Sequence, residues 1–130
     1  MMKMSNLLIV LLIFCSVSCE TLVDHSYIIR IQNNSKDTVQ FYASYSYPDI
    51  SIVVSKPRLI MVYPKDYSSL ESKKDWKDVL PKDTILIYIL NKDTVDAYSW
   101  DVIRAKNKVL KRYGLSLQDL EKQSWTVTYP

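Results

Sequence analysis

Glycine occurs once in these 130 residues, at Gly114, and histidine once, at His25. Phosphate-cradling loops of the P-loop or dinucleotide-binding type need several glycines for close backbone approach, so neither can be written here. His25 precedes the first expected strand, which leaves the domain without the parts of a Ser-His-Asp arrangement, a Cys-His pair or a histidine-based zinc site. Both cysteines, Cys15 and Cys19, fall near the start, so no disulfide can staple the domain that follows. Seventeen basic against fourteen acidic residues give a net charge of +3 spread along the chain. A whole-protein electrostatic footprint for nucleic acid is therefore missing. The apolar run at residues 7–14 breaks at Cys15 and Ser16, short of the roughly 20 residues a spanning helix needs.

What is present at that end is ordered. Lys3 supplies a charged n-region, residues 7–14 an apolar h-region, and small Ser16 and Ser18 lead to Cys19, the sequence of parts in a secretory signal. Ser16-Val17-Ser18-Cys19 resembles a lipobox, the motif of bacterial lipoproteins, in its relaxed Bacteroidetes form, with serine where leucine is commoner. The resemblance implies a diacylglycerol on the Cys19 thiol and cleavage before it, with ordinary cleavage and free secretion as the alternative. Acylation by two or more chains anchors stably where one holds reversibly. Within the lipoprotein resemblance, Glu20 rather than aspartate after the cysteine implies sorting onward to the outer membrane, on either its periplasmic or its surface face.

The organisation expected is a signal at 1–18, a lipidated N-terminus and tether at 19–26, and a single domain at 27–130, a common domain size. The chain has fifteen aromatic residues, ten of them tyrosine, and those within the domain must help to build its core. Residues 27–32 read as a β-branched strand, 33–37 as a turn, and 38–47 as a second strand, together a hairpin. In the second strand Val39, Phe41, Ala43, Tyr45 and Tyr47 alternate with Gln40, Tyr42, Ser44 and Ser46, the period of a sheet with one buried face. Residues 50–54 and 59–63 suggest another antiparallel pair around Pro57. A polar stretch at 64–81, around a lone Trp76, reads as a long loop or a loop with one helical turn. Residues 85–90, ILIYIL, lack alternation and predict a central strand buried on both faces.

Beyond Asn91 the period changes. Val102, Ile103, Val109, Leu110 and Tyr113 share one side of a helix expected over 99–113, with Gly114 as its left-handed cap. Arg104, Lys108, Lys111 and Arg112 lie opposite. Acids near the start (Asp93, Asp96, Asp101) and bases towards the end match the helix dipole, so a solvated face is favoured over an anionic-ligand or membrane-surface site. Lys106 among the apolar residues places the helix near an edge. Ser116 and Asp119 predict a capping box for a second helix, and residues 125–129 return to strand alternation. The fold class expected is α+β: an antiparallel sheet or small β-sandwich with a helix pair before the final C-terminal strand.

The stretch YSWDVIRAKNKVLKRYGLSLQDLEKQSWTVTYP at 98–130, with IQNNS near Asn33 and SYSYPD ending at Asp49, is similar to small Bacteroidetes lipoproteins. Gly114 departs from the aspartate that resemblance would place there. It implies an envelope address and a shared fold, and carries no catalytic residues. Asp37-Thr38-Val39, Asp83-Thr84-Ile85 and Asp93-Thr94-Val95 are similar to the O-glycosylation pattern of exported Bacteroidetes proteins, which makes Thr38, Thr84 and Thr94 candidate acceptors. Turn or strand-entry chemistry explains the same triplets equally well. Asn33-Asn34-Ser35 fits an N-glycan acceptor, though its turn reading dominates.

Two function classes are expected to survive. One is a non-catalytic, envelope-tethered binding or structural module, in which Trp76, Tyr67 and Tyr42 contact a glycan or protein partner. The other is a small hydrolase using carboxylates alone, for which Asp75 with Asp78, or Asp93 with Asp96, are the available pairs. Solvated acids are the blander account of both pairs. Ser55 and Lys56 are adjacent, and on a strand would face opposite ways. The expectation is a non-enzyme with no cofactor, no metal and no nucleic-acid partner, attached to a membrane through its lipid.

Overall fold

The computed structural model describes residues 27–130; Cys19, the expected signal and the tether with His25 lie outside the described residues. Seven strands among the described residues form two sheets. One places β1 (Tyr27–Asn33) between β4 (Tyr67–Ser72) and β7 (Thr126–Tyr129). The other runs β3 (Ile60–Val62), β2 (Val39–Ser44), β5 (Thr84–Asn91), β6 (Lys111–Ser116). Four short helices complete the α+β domain: α1 (Trp76–Val79), α2 (Lys92–Ala97), α3 (Trp100–Ala105) and α4 (Leu117–Lys122). Every pairing is antiparallel except that of β7 with β1, which is parallel. No helix among the described residues is long and apolar enough to cross a membrane.

Two clusters hold the domain together, one on each face of the four-stranded sheet. Between the sheets, Ile29 and Ile31 of β1 and Val127 of β7 pack against Val39, Phe41, Ile85, Ile87 and Ile89. On the far face, Tyr42, Leu86, Tyr88 and Leu90 are covered by Ile52, Val95, Trp100 and Ile103. The unalternating ILIYIL run thus sits centrally in β5 and is buried on both sides. Among the described residues both clusters are closely packed and every strand has a partner, so residues 27–130 carry a core.

β2 departs from the one-face reading, because Tyr42 and Ser44 are buried as well as Val39 and Phe41. It ends at Ser44, where Ser46 bonds the Asp49 carbonyl and turns the chain. Residues 50–54 are no strand. They form a strap across the far face, tied by the Tyr88 hydroxyl to the Ile50 carbonyl (2.7 Å) and by the Trp100 indole to the Val53 carbonyl (2.8 Å). Side chains supply the hydrogen bonds that a neighbouring strand would have supplied.

β1 and β2 are not a hairpin but belong to different sheets. Asn33 explains the switch. Its amide nitrogen donates to the carbonyls of Asp37 (2.8 Å) and Val62 (3.1 Å), and its oxygen accepts from the Ser35 backbone (2.9 Å) and hydroxyl (2.7 Å). The side chain is fully buried, which also removes the N-glycan reading from the folded domain. Residues 64–81, expected as a long loop or a loop with one helical turn, contain one such turn, α1, and also the strand β4, which was not expected.

The helix expected over 99–113 stops at Ala105. Asn107 adopts φ 51°, the Asn107 N–H bonds the Arg104 carbonyl (3.2 Å), and the Lys108 N–H bonds the Ile103 carbonyl (2.9 Å). This is a Schellman cap, with asparagine in the left-handed position. Residues 111–116 then extend along β5, so Gly114 is a strand residue opposite Leu86 and caps nothing. Lys111, Tyr113 and Leu115 point to one face at period two, a pattern that helical spacing had masked.

Candidate functional site

A cleft of about 530 Å³ opens at the end of the sandwich where β1 begins, lined by Tyr27, Ile28, Asp75, Trp76, Lys77, Leu117, Glu121 and Trp125. Three segments build it, each with a local reason. Asp75 N-caps α1 by accepting from the Lys77 N–H (3.1 Å), and the Lys77 ammonium sits 3.8 Å from the same carboxylate. α4 starts at the expected capping box, in which the Asp119 N–H donates to the Ser116 hydroxyl (3.1 Å) and the Ser116 N–H donates to the Asp119 carboxylate (3.0 Å). Those bonds hold the Asp119 carboxyl below its ordinary range, the Ser116 backbone first among the causes. Leu117 and Glu121, four residues apart, then share the helix face that meets the cleft.

Trp125 completes the wall in an uncommon backbone state. Ser124 (φ 53°) and Trp125 (φ 58°) are both left-handed, a conformation that costs a bulky residue on the order of 1–3 kcal/mol. Hydrogen bonds at both backbone groups hold it there. The Trp125 N–H donates to the Leu120 carbonyl (2.8 Å), and its carbonyl accepts from the Arg30 N–H (2.8 Å). Strain, half-burial and an aromatic side chain therefore coincide on the wall.

The sequence-derived aromatic candidates separate. Trp76 forms part of the cleft wall yet is 1% exposed, and its buried indole N–H has no protein partner among the described residues. Tyr42 is 3% exposed, lying beneath the strap. Neither is the exposed contact expected of it. Tyr67 is exposed on the outer face of the three-stranded sheet, with the Arg30 guanidinium 4.2 Å from its ring centre, away from the cleft. Trp100 is buried in the far-face cluster.

The acid pairs also rearrange. Asp75 and Glu121 of α4 both line the cleft, whereas the exposed Asp78 is not among its lining residues. Asp96 instead pairs with Lys92 four residues before it in α2, and this ion pair raises the lysine pKa. Ser55 and Lys56 are exposed just beyond the strap. Thr38, Thr84 and Thr94 are each half-buried, and the Thr84 hydroxyl is engaged with the Lys82 carbonyl (3.1 Å). Among the described residues no group of three or more His, Cys, Asp or Glu could hold a metal ion.

Tyr27, Glu121 and Trp125 were not singled out as site residues in the sequence. Glu121 had one available signal, its four-residue spacing from Leu117 after a legible capping box. Tyr27 and Trp125 read as strand residues, and only the parallel β1–β7 pairing brings the starts of both strands to one end. No protein-family model, curated protein or solved structure matches this chain.

Proposed function

We propose that the chain is a bacterial envelope lipoprotein, anchored through acylated Cys19 in the outer membrane, whose domain is a non-catalytic binding module for a glycan or protein segment. The observation that carries the binding reading is the convergence of Tyr27, Trp76 and Trp125 with Asp75, Lys77 and Glu121 around one open cleft. Flat apolar rings beside groups that accept and donate hydrogen bonds suit a partly polar ligand. The anchor rests on the Ser16-Val17-Ser18-Cys19 sequence. Cys19→Ala with membrane fractionation tests it: release to the soluble fraction supports acylation, and unchanged membrane association counts against it.

Glycan-array and pull-down screening of residues 26–130 tests the module. Trp76→Ala is a poor probe because that side chain is core. Tyr27→Ala is better suited, since Tyr27 is 38% exposed on the cleft. A captured ligand lost in Tyr27→Ala and in Trp125→Ala supports the assignment; a ligand retained by both places binding elsewhere.

A second reading, a carboxylate-dependent hydrolase, is favoured by one observation, the shared cleft of Asp75 and Glu121. Hydrolysis of a chromogenic glycoside by the wild type, abolished by Glu121→Gln, would support it over simple binding. No turnover across a glycoside panel, with ligand capture intact, would remove it.

A further inference from the structure

Between Asp101 and Asp119 the chain carries five cations, Arg104, Lys106, Lys108, Lys111 and Arg112, and no acid. The remaining residues hold twelve basic against fourteen acidic groups, so the whole positive excess of the protein resides in this stretch. A dipole-matched helix had accounted for the pattern. With α3 ending at Ala105, Arg104 lies in its last turn and Lys106 at its C-cap, whereas Lys108, Lys111 and Arg112 belong to the turn and to β6. The dipole falls off within one turn and does not reach them.

Nor do carboxylates neutralise them. Among the described residues the ion pairs are Lys77–Asp75 and Lys92–Asp96, which leaves all five cations of this stretch outside any ion pair. Three rest on tyrosine rings instead: Lys108 on Tyr98 (4.4 Å), Lys111 on Tyr113 (5.7 Å) and Arg112 on Tyr88 (5.7 Å). Rings orient a cation without cancelling its charge. Arg112 is further fixed by the Asn107 amide. Within this positive field Leu110 is 46% exposed and Tyr98 45%.

We infer that the turn joining α3 to β6 is a docking surface for an anionic membrane, with lysines meeting phosphorylated headgroups and Leu110 and Tyr98 entering the interface. Charge complementarity favours an anionic surface, and the exposed leucine and tyrosine favour lipid over a soluble polyanion. The turn lies at the far end of β6 from the cleft, since Lys111 pairs with Ile89 at one end and Ser116 with Thr84 at the other. A membrane-bound turn therefore leaves the cleft open. The inference does not depend on the acylation of Cys19.

Co-sedimentation of residues 26–130, which lack Cys19, with vesicles of phosphatidylglycerol and phosphatidylcholine tests it. Expected is binding to the anionic vesicles but not to phosphatidylcholine alone, lost between about 0.01 M and about 1 M salt as the Debye length shrinks from about 30 Å to about 3 Å. K106Q/K111Q lowers partitioning on the order of 25-fold, at about five-fold per lysine. K73Q/K74Q, the same charge loss near the cleft, leaves it unchanged, and Leu110→Ser weakens vesicle binding without altering its salt dependence. Thermal unfolding of each variant confirms an intact domain. Binding that ignores salt, equal losses in the two lysine pairs, or tighter capture by a soluble sulfated polysaccharide than by vesicles would each overturn the membrane assignment.

Discussion

Tyr42 and Tyr88 stack face to face across β2 and β5, ring centres 4.6 Å apart and planes within 1° of parallel, yet only the Tyr88 hydroxyl is satisfied. It donates to the Ile50 carbonyl at 2.7 Å and so pins the strap. The Tyr42 hydroxyl is buried without a hydrogen bond of ordinary geometry; burial pushes its pKa up to about 12, and the nearby Val53 backbone offsets only part of that rise.

Phenylalanine substitutions should therefore separate the two rings. Tyr88→Phe leaves a strap carbonyl unpaired and is expected to cost about 1 kcal/mol, while Tyr42→Phe should be neutral or slightly stabilising at pH 7. Denaturant unfolding of both variants checks this, and equal losses would contradict it.

The same hydroxyl sets an alkaline limit. A folded-state pKa raised from 10.0 to about 12 means the folded protein holds the proton more tightly than the unfolded chain. The stability associated with it is complete below pH 10 and is lost as pH rises towards 12. Thermal midpoints across that window should fall more steeply for the wild type than for Tyr42→Phe.

At the sheet switch, Asn33→Ala removes two donors and an acceptor from a fully buried site and leaves the carbonyls of Val62 and Asp37 short of partners. A loss of roughly 2–4 kcal/mol is expected. Urea unfolding with a change below about 0.5 kcal/mol would show that the turn does not depend on this side chain.

Gly114→Ala distinguishes strand from cap directly. A left-handed cap would make alanine costly, but Gly114 has no positive φ, and a Cβ there would meet Leu86 Cδ2 at 3.6 Å, an ordinary contact. The variant should be more stable than the wild type by about 0.5–1 kcal/mol, as glycine weakens a strand interior. A lower melting temperature would reverse that conclusion.

Asp119 supplies an acid-side counterpart. Its depressed pKa means that its contribution to α4 is present above the ordinary aspartate value near 3.8 and is lost as pH falls through the lower folded value. Protection of the Ser116 amide against hydrogen exchange, taken relative to its intrinsic rate at each pH, should fall in acid for the wild type, and Asp119→Asn should flatten that response.

Local chemistry was legible wherever neighbours in sequence are partners in space. The Ser116/Asp119 box rests on bonds between residues three apart, and the unbroken apolar run of β5 marks a strand by its composition, so both were legible in the sequence. The α+β class followed from the mixture of periods. Tertiary structure decided the rest. Residues 111–116 are compatible with helix or strand, and the open edge of β5 settled them as strand because it offered a ladder of backbone hydrogen bonds. Residues 50–54 are an apolar run that suits a strand, but the buried face of the four-stranded sheet used Ile52 as a lid. The cleft joins Tyr27, Asp75, Glu121 and Trp125 from segments up to about a hundred residues apart, brought together by pairing of β1 with β7 and packing between the sheets. Spacing along a chain records local bonds; which distant surfaces meet depends on the packing of the whole core.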